Sequence, residues 1–302
     1  MKKHSQTPSS AFSLIEISIV ILIIGILVAG VTQSSKLIKY SRLNSARSLT
    51  QSSPVAGISD LMLWYETSLE SSFLDAEQTD GSTISTWYDN SPQSTVKNNA
   101  SLDNGDGGTA CAGNPKFYES VFNGGIPAIR FDGVNDCLRF SGADLVGTNY
   151  TIFVVEQRRG SPGRFFFGGT TTGTTNANFH FGYALQTYVR LGHYNVNLDY
   201  TSIPSYSSPT PRIHTGRLQA GSSRDYWLNG GTTADATNST ASYTSVLVSN
   251  AGSALGRNVG PSSTMYFNGD LAEIIIYTRA LKTEERQAVE DYLSKKYAIT
   301  IS

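Results

Sequence analysis

Glu16 is the first residue whose chemistry needs an explanation. It stands near the start of "FSLIEISIVILIIGILVAG", a stretch that is otherwise almost pure hydrocarbon. A lone carboxylate in such a span costs several kcal/mol unless it is paired or neutralised. Three further acids sit in apolar runs: Glu156 in "YTIFVVEQ", and Asp270 and Glu273 in "DLAEIIIY". Glycoside hydrolysis needs two carboxylates facing one cleft. Asp270 and Glu273 are three residues apart, so in a regular strand they point to opposite faces, and Glu156 stands alone. No hydrolytic pair is expected, and the chain is expected not to be an enzyme. His4, His180, His193 and His214 share no metal-ligand spacing, and neither HExxH nor GxSxG occurs. In "FDGVNDC", Asp132, Asn135 and Asp136 offer hard oxygens that suit calcium. The same residue types are what a tight turn demands, and the turn is the favoured reading. "DNGDGG" (103–108) raises calcium more weakly.

The elements that position these groups divide the chain. From Ile17 to Ser35 no residue is charged. As a helix this run rises about 28 Å, close to the hydrocarbon thickness of a bilayer. Lys2 and Lys3 in the polar leader mark a cytoplasmic start. A secretory signal peptide or a simple signal anchor would also carry such a run, but neither explains Glu16. "KLIKYSRLNSARSLTQSS" holds Leu37, Tyr40, Leu43, Ala46 and Leu49 as a modest apolar stripe, so the helix is expected to continue to about Ser52. Pro54 and Gly57 punctuate the chain there.

"A-FSLIEISIVILIIGILVAG" resembles the prepilin-type leader of type IV pilins and type II secretion pseudopilins. The resemblance covers about the first tenth of the chain. It implies cleavage by a prepilin peptidase between Ala11 and Phe12, followed by methylation of Phe12. Ala11 stands where the family usually has Gly, though the residue is still small. Glu16 then occupies the family's acidic position. The resemblance implies that it pairs with the free amine of a neighbouring subunit, which would satisfy two buried charges at once.

Beyond residue 58 there is no internal repeat, and the body is rich in Gly, Ser, Thr, Asn and Tyr. Short runs between turn residues, at 150–157, 164–169, 178–185, 187–194, 212–219, 225–231 and 270–277, read as strands of an antiparallel sandwich. One later segment, "LKTEERQAVEDYLSKKYAI", reads as a helix, with Ala288, Val289, Tyr292 and Leu293 on one face. Its acids come early, and Lys295 and Lys296 come late. Cys111 and Cys137 are an even pair that reads as one disulfide in an exported domain, with two unpaired buried thiols as the alternative. The net charge of −1 gives no basic footprint, so nucleic acid is not an expected partner.

"LMLWYETS", "STISTWYDNSP", "PAIRFDGVNDCLRF", "YTIFVVEQ" and "FNGDLAEIIIYTRALKTEERQAVEDYLSKKYAI" together resemble the laminin-G-like branch of the concanavalin A-like jelly rolls. They come in the family's order, from about residue 60 to the end. The expected fold class is therefore an N-terminal transmembrane and stalk α-helix, then an all-β antiparallel jelly-roll sandwich with a short C-terminal helix. The divisions are a leader at 1–11, an assembly helix and stalk at 12–52, a linker at 53–59 and a jelly-roll domain at 60–302. The resemblance implies a binding module, with calcium sometimes held at the rim. For sugar binding the loops offer Tyr194, Tyr200, Tyr206 and Asn197, with no cluster legible among them.

The two resemblances together imply a minor filament subunit that displays a lectin-like adhesion module. The alternative is a secretion pseudopilin with a mechanical role and no external ligand. Expected partners are other pilin or pseudopilin subunits, prepilin peptidase, the inner membrane before assembly, and a surface glycan or glycoprotein. The expected location is the bacterial inner membrane as precursor, with the leader cytoplasmic and the C-terminal domain periplasmic, and then a pilus or pseudopilus.

Overall fold

The computed structural model describes residues 13–103, 110–161, 163–169, 174–240, 244–248, 253–259 and 264–302. Helix α1, Leu14–Gln51, runs unbroken for 38 residues, about 57 Å at 1.5 Å per residue. Its large apolar residues from Leu14 to Val31 are all exposed, as are Leu37, Ile38 and Tyr40. The apolar stripe therefore packs only over its last turns, where Ala46 and Thr50 are buried and Leu49 is half-buried. The Arg42 guanidinium donates to the Asn123 carbonyl at 2.6 Å. Arg47 donates to the Ser68 carbonyl at 2.8 Å and pairs with Glu70 at 2.9 Å. The helix stops at Ser52, two residues before Pro54.

Two eight-stranded sheets follow, joined by antiparallel ladders. The first runs in the order β14 (Ala236–Asn238), β13 (Ser223–Leu228), β12 (Arg212–Gln219), β7 (Tyr150–Arg158), β18 (Asn268–Tyr277), β5 (Ile126–Asp132) and β4 (Lys116–Phe122). β18 is long enough to share one edge between two partners. β5 pairs with it from Asn268 to Leu271, and β1 (Leu61–Glu66) from Glu273 to Tyr277. The second sheet runs β11 (Asn197–Tyr200), β10 (Tyr188–His193), β9 (Phe179–Leu185), β8 (Phe165–Gly169), β15 (Ser253–Leu255), β6 (Leu138–Phe140), β3 (Ala100–Ser101) and β2 (Thr86–Trp87). A separate hairpin joins β16 (Arg257–Val259) to β17 (Thr264–Tyr266).

Alternation along each strand builds two cores. Between the sheets lie Ile152, Val154, Phe166, Phe181, Leu191, Leu271, Ile274 and Ile276. On the outer face of the first sheet, Phe153, Val155, Ala272, Ile275 and Tyr277 pack against Ala46 of α1 and against Val289, Tyr292, Leu293 and Tyr297 of helix α2, Thr283–Tyr297. Ala288, expected on the buried face of α2, is exposed, whereas Lys296 is fully buried.

Lys296 is buried because Glu66 and Glu273 stand directly opposite each other across the β1–β18 ladder. Like charges in that position repel. The Lys296 ammonium sits between them, 2.9 Å from Glu66 and 2.8 Å from Glu273. The remaining lone pairs are filled. Trp64 Nε1 and Tyr292 OH donate to one oxygen of Glu273 at 2.7 and 2.8 Å, and Tyr297 OH donates to the other at 2.9 Å. The Ser68 and Leu69 amides and the Ser68 and Ser72 hydroxyls donate to Glu66. Burial would raise the Glu66 carboxyl, but Lys296 and these hydrogen bonds outweigh it and hold the group below its ordinary 4.5. Cys111 and Cys137, the latter just before β6, form a disulfide with Cα atoms 5.4 Å apart, a link worth about 3–4 kcal/mol in the chain-entropy account.

Replacing Lys296 with Met leaves two buried carboxylates facing each other and should lower the unfolding free energy by about 3–5 kcal/mol. Urea denaturation of the full chain in detergent reads the change. Adding Glu66→Gln and Glu273→Gln to that variant should restore part of the loss. Because the Glu66 pKa is depressed in the fold, this stability is present above 4.5 and should be lost as pH falls through the folded value.

Candidate functional site

Ala11 and Phe12 lie outside the described residues. Glu16 occupies the third position of α1, where its Oε2 accepts from the Ser13 amide at 2.8 Å, and Ser13 Oγ accepts from the Ile15 amide. The lone acid is thus half of a capping box that satisfies amides left open at the helix start. Asp132, Asn135 and Asp136 form a turn. Asp132 Oδ1 accepts from the amides of Val134, Asn135 and Asp136, and Asp136 Oδ2 accepts from the Asp132 amide. Burial, and then the neighbouring Asp132 charge, push the Asp136 carboxyl up to about 6. Among the described residues no cluster of three or more His, Cys, Asp or Glu stands ready for a metal ion.

The catalytic reading changes. The β18–β7 register slips between Leu271 and Glu273, so β18 carries a bulge. One extra residue reverses the alternation. Asp270 lies opposite Arg130 on β5 and bonds to it at 2.6 Å, on the same outer face that carries Glu273. The expectation that the two acids face apart is therefore wrong: they share a face. Glu156 points between the sheets, where Tyr183 OH donates to it at 2.7 Å and His214 Nε2 lies 2.9 Å away. Burial pushes the His214 imidazole below its usual value, against the opposing pull of Glu156.

The sugar-binding candidates also part company. Tyr200 turns inward against the Tyr226 ring, with centroids 5.2 Å apart, and Tyr206 lies toward Arg158. Tyr194 and Asn197, by contrast, line a cavity of about 200 Å³ on the outer face of the second sheet. Alternation builds its floor. Along β9, Phe179, Phe181 and Tyr183 enter the core, which leaves His180 and Ala184 outside. Along β10, Val189 and Leu191 enter the core, which leaves Tyr188, Arg190 and Gly192 outside. The run "FHFGYAL" followed by "YVRLGH" carried this signal in its odd and even positions.

Glycines make room for the polar floor. A Cβ on Gly192 would lie 2.2 Å from Asn197 Oδ1 and 2.3 Å from His180 Nε2, and one on Gly168 would lie 2.4 Å from Asn258 Oδ1. His180 Nδ1 is within 3.1 Å of the Asn178 carbonyl, and burial pushes its pKa down to about 4, so the ring is neutral at physiological pH. The Arg190 guanidinium grips Asp199 with two bonds of 2.7 and 2.8 Å. The aromatic walls are Phe165, edge-on to His180, with Tyr188 and Tyr194. Tyr194 and Asn195 form the two-residue turn between β10 and β11 at φ 27° and 63°. Asn tolerates that region, but a tyrosine there is strained. Strain of this kind is often kept where a side chain must be aimed.

Gly192→Ala should push Asn197 and His180 apart and disorder the floor while leaving both cores intact. A chemical-shift map should show changes confined to β9–β11, with the two buried cores unmoved.

No protein-family model and no curated protein sequence matches the chain. Solved structures do match its shape. A GH54 α-L-arabinofuranosidase soaked with 4-nitrophenyl α-L-arabinofuranoside is 14% identical over 71% of this chain and 51% of its own, at TM-score 0.51. Domain 4 of AbnA, a GH43 extracellular arabinanase from Geobacillus stearothermophilus in complex with arabinotriose, gives 15%, 77%, 98% and 0.49 in the same order. Trypanosoma rangeli sialidase in complex with sialic acid gives 11%, 80%, 34% and 0.47. This chain thus spans about a third of the sialidase and half of the arabinofuranosidase. At such identity the likeness concerns fold alone. It corrects the expectation that the chain is not an enzyme: the arabinofuranosidase shares the fold, and the carboxylate spacing behind that expectation is undone by the bulge. The chain is an apolar helix followed by an antiparallel β-sandwich with a short C-terminal helix.

Proposed function

We propose that this chain is a minor, pilin-like filament subunit that carries a saccharide-binding sandwich on the end of its assembly helix. One observation carries the reading. The large apolar side chains of α1 from Leu14 to Val31 are all exposed, whereas the same helix is fastened to the sandwich over its last turns. A helix exposed in this way must be covered by lipid or by other helices. The described residues contain one helix long and apolar enough to cross a membrane.

Glu16 supports assembly over simple anchoring. Its capping box uses Oε2 and the Ser13 amide, and both lie downstream of a cut between Ala11 and Phe12. The box therefore survives cleavage, and the carboxylate stays at the helix start to meet the methylated amine of a neighbouring Phe12. The precursor sits in a bacterial inner membrane with its sandwich in the periplasm, and assembly carries it into the filament. The polar cavity faces away from α1 and α2, so it stays open when the helix is covered.

Mass spectrometry of assembled material should find a mature N-terminus at N-methylated Phe12. Retention of Met1 would remove the assembly reading. Glu16→Ala should leave the sandwich folded yet reduce incorporation into filaments, because an unmatched amine would then be buried among helices. Normal incorporation of that variant would assign the carboxylate to helix capping alone.

A further inference from the structure

We propose that the cavity over β8–β11 binds a neutral saccharide, one ring at a time, through Asn197 and Asn258 with stacking on Tyr188 and Tyr194. This rests on the saccharide-display reading above and specifies its ligand class and its site.

The first ground is the state of the two amides. Asn258 is 4% exposed, and its Oδ1 has no hydrogen-bond partner among the described residues; the same holds for Asn197 Oδ1. Buried polar atoms are almost always bonded, so such exceptions call for a reason. A terminal amide turns about a broad, two-fold torsion and can present either its carbonyl or its NH2. A sugar hydroxyl is both donor and acceptor, and it matches the amide in either orientation. A carboxylate or phosphate only accepts, and it matches one orientation alone.

The second ground is charge. Arg190 is the one cation lining the cavity among the described residues, and Asp199 takes two of its donors. His180 is buried and lies against the Asn178 carbonyl. Among the described residues that line the cavity, no cation is left without a carboxylate to receive an anionic sugar. The third ground is shape. At about 200 Å³ the cavity is below the ~300–1,000 Å³ of common ligand pockets, so it admits a ring or chain end. Tyr188 and Tyr194 are half-buried at its rim, and their ring faces can cover the C–H face of a pyranose or furanose. The turn that strains Tyr194 holds one of these walls in place.

The test uses the full chain in detergent micelles on a glycan array that includes matched neutral and acidic saccharides, with titration calorimetry on the strongest ligand. Neutral glycans should bind, and acidic additions at the recognised ring should weaken them. Tyr188→Ala and Asn197→Ala should each raise Kd by about tenfold or more, equivalent to ~1.4 kcal/mol. Thermal unfolding should place both variants beside the parent, and Tyr188→Phe should keep most of the affinity. Binding of acidic glycans alone would overturn the neutral class and leave saccharide display standing. Neutral binding unchanged in both variants would overturn the site but not the display. Silence across the whole array would overturn the display reading and this inference with it.

Discussion

The structure depends on one ammonium ion placed between two carboxylates. β1 and β18 bring Glu66 and Glu273 face to face on the side of the sheet that α2 covers. Without a cation there, the ladder would oppose itself. Lys296 resolves the conflict from α2 and so fixes where that helix docks. Tyr292 of the same helix lies 3.2 Å from Thr50 Oγ1 near the end of α1. The long helix is thereby joined to the charge cluster through the Thr50 hydroxyl, which also lies 3.4 Å from Ser68 Oγ, itself a donor to Glu66. Buried ion pairs often add little net stability compared with apolar packing, but they are costly to break. Here the cluster acts chiefly as a register: α2, β1 and β18 have one arrangement in which the Lys296 ammonium meets both carboxylates.

The two outer faces of the sandwich divide the work. The first sheet is closed by α1 and α2, and its outer face carries buried ion pairs such as Arg130–Asp270 and Lys296–Glu273. Among the described residues no helix covers the outer face of the second sheet, where the Asn197 and Asn258 amide oxygens have no protein partner.

Much of this organisation was legible in the sequence because it is local. The apolar run, the turn residues around each strand and the helix "TEERQAVEDYLSKKY" have periods that read directly, and the observed elements match them within a few residues. The cavity was not legible. Its floor combines β8, β9, β10, β11 and the β16 hairpin, so Phe165, His180, Asn197 and Asn258 meet only through long-range pairing. Tyr200 was misread for the same reason: as a loop aromatic it should be outside, but as a strand residue in register with Val189 it turns inward. Lys296 was read only as a late helix charge that suits the macrodipole. Its true environment depends on two strands more than twenty residues away.

The bulge in β18 links the misreading to the central interaction. Strand alternation predicts that Asp270 and Glu273 face apart, and in a regular β18 Glu273 would point into the apolar space between the sheets. A carboxylate there would be buried among the apolar residues of the inter-sheet core. The slip at Leu271–Glu273 turns it outward, where Trp64, Tyr292, Tyr297 and Lys296 can reach it. The same slip marks the point where the β18 edge passes from β5 to β1. One inserted residue therefore sets the change of partner strand, the direction of Glu273 and, through Lys296, the seat of α2. A period-two reading cannot locate such an insertion, because the residues on either side of it, Leu271 and Ile274, remain correctly apolar.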